Sequence, residues 1–189
     1  MTISIVELWL PILLSGLFAW IASALIHMVI KYHNTDYKKL RDEDGISNAI
    51  EKSGDDVGFY TLPHCADFNE MNDPAVQARF KKGPIAIVTI MEKGLPPMGK
   101  LLSQQLLFFI LGSLLVAVVG CLSLTKGAQG LEVFQLLFIT GFFGFGWASI
   151  PYSIWFGHPW LVTVKYLIDA VIYSAVIAAT FTWLWPAAV

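Results

Sequence analysis

The sequence predicts an all-α membrane protein: a four-transmembrane-helix bundle with a small cytoplasmic α/β insert between helices 1 and 2. Three observations carry this. Four apolar runs, about residues 5–31, 101–124, 131–150 and 159–185, are each long enough, at ~1.5 Å rise per residue, to approach or exceed a ~30 Å hydrocarbon core. Only 14% of the 189 residues are charged, well under the ~25% of a typical soluble domain, and 56% are hydrophobic. Ten of the twelve Lys and Arg lie between Lys31 and Lys100, so the polar character is confined to one stretch. The expected division is residues 1–31 as helix 1, 32–100 as the insert and 101–189 as helices 2 to 4.

The first run, about Ile5 to Lys31, has no Lys or Arg ahead of it and is longer than a signal-peptide core, so it reads as a retained membrane segment. Ser15, Ala19, Ser23 and His27 recur every four residues, a small or polar stripe of the kind that lets helices approach closely. On this spacing His27 points into the bundle.

In the insert, Asp42-Glu43-Asp44 opens a short helix that Gly54 stops, and Val57 to Leu62 reads as a strand. Asp73-Pro74 is an N-cap followed by a first-turn proline, opening a helix to Phe80 that Gly83 closes. The β-branched run Ile85 to Ile90 is a second strand. Its basic residues flank the apolar runs, which by the positive-inside rule makes the loop cytoplasmic and puts both termini on the other side.

The second run carries Ser113, Ala117 and Cys121 on one face, and the third has Gly141, Gly144 and Ala148 together among four phenylalanines; Pro151 ends it. The fourth starts at Pro159, suited to a first helical position, and has Trp160 at one end and Trp183 with Trp185 at the other, at the two headgroup levels. Between them stand Lys165, Asp169 and Tyr173, four apart and therefore on one face. Lysine can snorkel to the interface; aspartate cannot. A lone charge in the membrane costs at least ~3 kcal/mol, so Asp169 must face protein and find a partner.

Connectivity brings the ends of helices 1 and 3 and the starts of helices 2 and 4 to the same side. His27, Gln104, Gln105, Ser149, Lys165, Asp169 and Tyr173 then form a candidate intramembrane polar cluster. Three roles suit it: a structural lock that fixes helix register, a proton or cation site, or an anionic-headgroup pocket. In the insert, His64, Cys65, Asp67 and Glu70 are a candidate metal set, extended by His33 and Asp36, although adjacent His-Cys is not a finger or ribbon spacing. No cofactor is expected beyond zinc or another divalent metal there. His27 alone gives too few axial ligands for haem, and no phosphate loop, dinucleotide fingerprint or hydrolase elbow occurs. The net charge of -2 offers nothing to nucleic acid.

Several stretches carry a resemblance: His27-Met28-Val29-Ile30-Lys31-Tyr32-His33 with Asp36-Tyr37, Pro63-His64-Cys65, Gly83-Pro84, and Gly157-His158-Pro159-Trp160 with Thr163, Lys165 and Ile168-Asp169. Together they resemble a family of uncharacterised bacterial four-helix inner-membrane proteins. The resemblance implies a bacterial inner membrane and no activity. From the residues themselves, the leading expectation is a non-enzymatic membrane component in the lipid bilayer, acting through association with itself or a larger membrane complex. The alternatives are a proton- or cation-linked channel or carrier using Asp169, Lys165 and His27, and a membrane-surface enzyme with its site between insert and bundle.

Overall fold

A computed structural model describes residues 2–188. Four stretches, Ile5–Ile30, Met98–Ser123, Gly130–Trp155 and Trp160–Trp183, are helices long and apolar enough to cross a membrane, the make-up of a multi-pass membrane protein. In chain order the helices and strands are α1 (Trp9–Ala24), α2 (Glu43–Ser53), β1 (Gly58–Leu62), α3 (Pro74–Lys82), β2 (Ala86–Ile90), α4 (Met98–Ser123), α5 (Gly130–Gly146), α6 (Ile150–Trp155) and α7 (Trp160–Trp183). They fall into two compact units: residues up to Tyr37 with those from Pro96 onward, and Lys38–Leu95. The boundary differs from the expected residue 32, because Tyr32, His33 and Asp36 bond to α7 and belong with the helices.

In the helical unit α1 packs on α4 and α7, and α5 on α4 and α7. The buried face of α1 includes Ser15, Gly16, Ala19 and Ser23, and that of α4 includes Ser113, Ala117 and Gly120. The small-residue stripes of helices 1 and 2 are therefore used inside the bundle, whereas on the third Gly141 is buried and Gly144 and Ala148 are exposed. At Gly16 a Cβ would stand 2.8 Å from the Ile110 Cα, and at Gly146 one would stand 2.6 Å from the Ala170 Cβ. Backbone approach at these two points sets the spacing of both helix pairs, since close packing of small residues replaces the hydrophobic drive that lipid removes. Phe109, Leu137, Ile177 and Phe181 fill the core between them.

The helix ends depart from expectation in three places. Helix 3 does not stop at Pro151: a 3-10 turn at Trp147–Ser149 leads into α6, where Pro151 occupies the first turn and its missing N–H costs nothing. Pro159 precedes α7 in extended conformation (ψ 133°) instead of opening it. The last turns of helix 1, Leu25–Ile30, widen into a π-helix. Within it Ile26 is buried and His27 is exposed, not pointed into the core.

At the other end of the bundle Lys126 bonds Glu7, Trp185 donates to the Thr125 carbonyl (3.1 Å) and Gly127 N–H to that of Pro186 (2.8 Å). The turn between α4 and α5 is thereby tied to both chain ends.

The second unit follows its caps. The Asp42 carboxylate accepts from Gly45 N–H and Gly54 ends α2 at φ 72°; Asp73 accepts from Ala75 N–H and Pro74 opens α3. β1 and β2 form a two-stranded antiparallel sheet with Gly58 opposite Ile90 and Leu62 opposite Ala86.

Substituting Gly16 by Ala forces α1 from α4 and is expected to destabilise the bundle by about 1–3 kcal/mol. Gly144, whose Cβ would meet nothing within 4 Å, is the control, and Gly144→Ala is expected to leave unfolding unchanged. Thermal or SDS-induced unfolding of the purified variants decides this.

Candidate functional site

After the π turn, Lys31 takes left-handed backbone angles (φ 57°, ψ 25°), a conformation few non-glycine residues adopt. It reverses the chain into the short 3-10 helix Tyr32–Thr35, which folds back against α7. This local geometry delivers three polar side chains to the buried face of the last helix.

Asp169, 4% exposed, accepts from the Tyr32 hydroxyl on one oxygen and lies 2.9 Å from His33 Nε2 through the other. His33 Nδ1 stands 2.7 Å from an Asp36 oxygen, whose partner oxygen is bonded to Lys165 Nζ. Lys165 also donates to the Tyr32 carbonyl and the Thr35 hydroxyl, both at 2.8 Å. The result is one unbroken chain of ionisable groups, Lys165–Asp36–His33–Asp169–Tyr32. Lys165 and Asp36 are 12% and 5% exposed at their side chains, so water does little to screen them. For Asp36, burial pushes the carboxyl up, but the hydrogen bonds and charges of Lys165 and His33 outweigh it and hold it below the usual carboxylate range. A carboxyl so held stabilises the fold at neutral pH, and that contribution is lost as the pH falls below the ordinary carboxylate value and through its own lower one.

Against His33 lie three further rings. His27 stacks at 4.8 Å and 2° between planes, Tyr166 at 5.5 Å and 21°, and Tyr32 at 4.4 Å. His27 Nδ1 meets the Ser23 carbonyl at 2.9 Å; a carbonyl only accepts, so Nδ1 carries the proton and Nε2 a lone pair. His27, His33 and Asp169 each offer a ligand atom within 4.8 Å of the others. His27 also lines a cavity of about 320 Å³ with Trp20, Ser23, Met28, Met98 and Gln105.

Of the expected cluster, His27, Lys165 and Asp169 are thus gathered here, and Gln105 faces the same cavity as His27. Lys165 and Asp169 share a face but bond different residues, Asp36 and His33. Tyr173 is buried one turn further along α7, edge-on to Phe109 (5.0 Å). Gln104 is exposed, and the Ser149 hydroxyl donates to the Gly146 carbonyl of its own helix (2.7 Å). Tyr32, placed only within the resemblance, and His33 and Asp36, assigned to the insert's metal set, are the residues sequence reasoning misplaced. Their signal was the His-x-x-Asp spacing immediately after an apolar helix, opposite a helix with unpaired charges.

The insert residues keep to local bonds. His64 Nδ1 is 3.3 Å from the Thr61 hydroxyl, the Cys65 thiol donates to the Asp67 carbonyl (3.1 Å), Asp67 caps the turn at Asn69 (2.9 Å) and Glu70 accepts from Ala66 N–H (3.4 Å). Desolvation, with Glu70 beside it, pushes the Cys65 thiol up. His33 bonds Asp36 and Asp169, and Asp36 bonds Lys165.

Fold and site together define a multi-pass α-helical membrane protein with a buried ionisable cluster joining the end of its first span to its last. No family model, curated protein or solved structure matches this chain.

Breaking one partner of the Lys165–Asp36 pair strands the other charge, which typically costs 3–5 kcal/mol, whereas replacing both by apolar residues is often neutral. Lys165→Met and Asp36→Leu are each expected to lose about 3 kcal/mol or more in reversible unfolding, and the double variant to recover most of it. Additive losses would show that the two do not act as a pair.

Proposed function

We propose that this is a non-enzymatic, proton- or cation-linked channel or carrier of a bacterial inner membrane, with the chain Lys165–Asp36–His33–Asp169–Tyr32 as its ion site. The observation that carries the reading is the unbroken run of ionisable side chains ending at Asp169 within a membrane-spanning helix. Charges so placed are expensive, and intramembrane acids next to His and Lys are the parts from which ion paths are built. The cavity at His27 offers an approach from one side. In this reading the loop 32–100 is cytoplasmic and both termini periplasmic, as the clustering of Lys and Arg between residues 31 and 100 supports.

The test is flux in proteoliposomes carrying an internal pH dye, with and without an imposed potential. Asp169→Asn is expected to melt as the wild type and to lose at least tenfold in flux. Equal flux from both proteins, or none from either, sinks the reading and leaves the cluster a helix lock. For orientation, single cysteines introduced at Lys93 and at Ala187 are expected to react with a membrane-impermeant maleimide from opposite sides.

Association remains a second reading, favoured by one observation. A groove of about 280 Å³ between α4 and α5, lined by Leu111, Leu115, Thr140, Gly144 and Phe145, is apolar, and Gly144 is open to close approach by a helix from a second copy or a larger complex. Cross-linking of Gly144→Cys in native membranes tests it.

A further inference from the structure

The three side chains His27, His33 and Asp169 have the chemistry of a metal centre, and their immediate partners are those that metal-bound histidines require. We propose that they bind one divalent transition-metal ion, of the zinc or ferrous class, through His27 Nε2, His33 Nε2 and an Asp169 oxygen. This deepens the cation-linked reading above by naming the cation.

The tautomers come first. The Ser23 carbonyl at 2.9 Å fixes the proton of His27 on Nδ1 and turns its Nε2 into a ligand. His33 has a carboxylate at each ring nitrogen, 2.7 Å from Nδ1 and 2.9 Å from Nε2. A neutral imidazole has one proton to give. Placed on Nδ1 it satisfies the shorter contact and leaves the Nε2 lone pair facing the Asp169 oxygen, a position that a proton or a metal ion can fill. Metal-bound histidines almost always donate their other N–H to a carboxylate or a backbone carbonyl, and this pair has one of each: Asp36 for His33 and Ser23 for His27. Asp36 is fixed in turn by Lys165, and the Tyr32 hydroxyl holds the second oxygen of Asp169.

Charge points the same way. With neutral histidines the cluster holds two carboxylates and one ammonium, which leaves one uncompensated negative charge in a buried site. A bound metal ion balances it, as does a second proton on His33.

Two imidazoles and a carboxylate suit zinc or ferrous iron and are a poor match for calcium or magnesium, which take oxygen shells. Three protein ligands leave a position open, as in sites that exchange a ligand rather than closed structural ones. Metal–ligand bonds of about 2.0–2.1 Å put tetrahedral ligand atoms roughly 3.3 Å apart. Bringing the observed span of 4.8 Å to that distance requires His27, the exposed member of the three, to turn inward out of its stack on His33. That same exposure gives the ion its route: His27 opens on the cavity that contains Met28, Met98 and Gln105.

The experiment uses the full chain in detergent or nanodiscs after treatment with a chelator. Zinc is titrated by calorimetry, and cobalt(II) is followed by its visible absorption. Wild type is expected to bind one ion per chain, with cobalt giving the intense bands of a nitrogen- and oxygen-ligated tetrahedral or five-coordinate site. His27→Gln removes the ring stacked on His33 but no hydrogen bond of the buried chain, so it is expected to melt close to the wild type while binding zinc at least tenfold more weakly. His33→Gln is expected to abolish the site, and Asp36→Asn to weaken it 10- to 100-fold through orientation of His33. Calcium and magnesium at millimolar concentration are expected not to compete. Failure of wild type to bind stoichiometrically overturns the proposal, as does binding that survives His27→Gln and is lost on replacing His64 and Cys65. Proton flux without metal binding overturns the metal assignment alone; metal binding in a protein that carries no flux supports the site and removes the transport reading.

Discussion

Everything at the candidate site follows from the cost of holding Asp169 out of water. An aspartate is too short to reach the interface, and its helix is apolar on the faces around it. The protein answers by sending a chain segment back to it. The π turn, the left-handed Lys31 and the 3-10 helix have one joint effect, which is to aim Tyr32, His33 and Asp36 at α7. Lys165 closes the arrangement by neutralising Asp36 and gripping the backbone of the returning segment. Backbone irregularity is tolerated at the edge of an apolar bundle because side chains and carbonyls there satisfy one another.

The bundle around this network is built for rigidity. Gly16 against Ile110 and Gly146 against Ala170 bring backbones together where larger residues would part them. At the other end Glu7, Lys126 and Trp185 hold the turn and both chain ends. The two ends differ in kind. One is closed with a single ion pair and backbone hydrogen bonds; the other holds five coupled polar side chains beside a cavity. The proposed ion site is at the second, where the groups are held in geometry and His27 beside them is accessible.

Much of this was legible in the sequence. The four apolar runs, the caps at Asp42, Gly54 and Asp73, and the β-branched strand from residue 85 are local signals, and each element formed within a few residues of its expected bounds. Lys165 and Asp169 were visible because charge inside an apolar run is visible. What the sequence hid was azimuth and return path. Depth along a helix can be counted from the sequence; which way a residue faces depends on packing, and Gln104 faces outward. His33 and Asp36 meet their partners across 136 and 129 residues, contacts that no local pattern encodes. The π turn likewise has no sequence signature, and His27 within it is exposed, off the stripe to which simple periodicity assigned it.

The pairing of residues 32–36 with 165–169 also bears on how the protein enters its membrane. The α7 segment carries two charges that, at a helix centre, each cost about 2.5–3.5 kcal/mol to insert alone. Their partners leave the ribosome some 130 residues earlier. The last span therefore carries into the membrane a cost that is relieved when it meets the segment following the first.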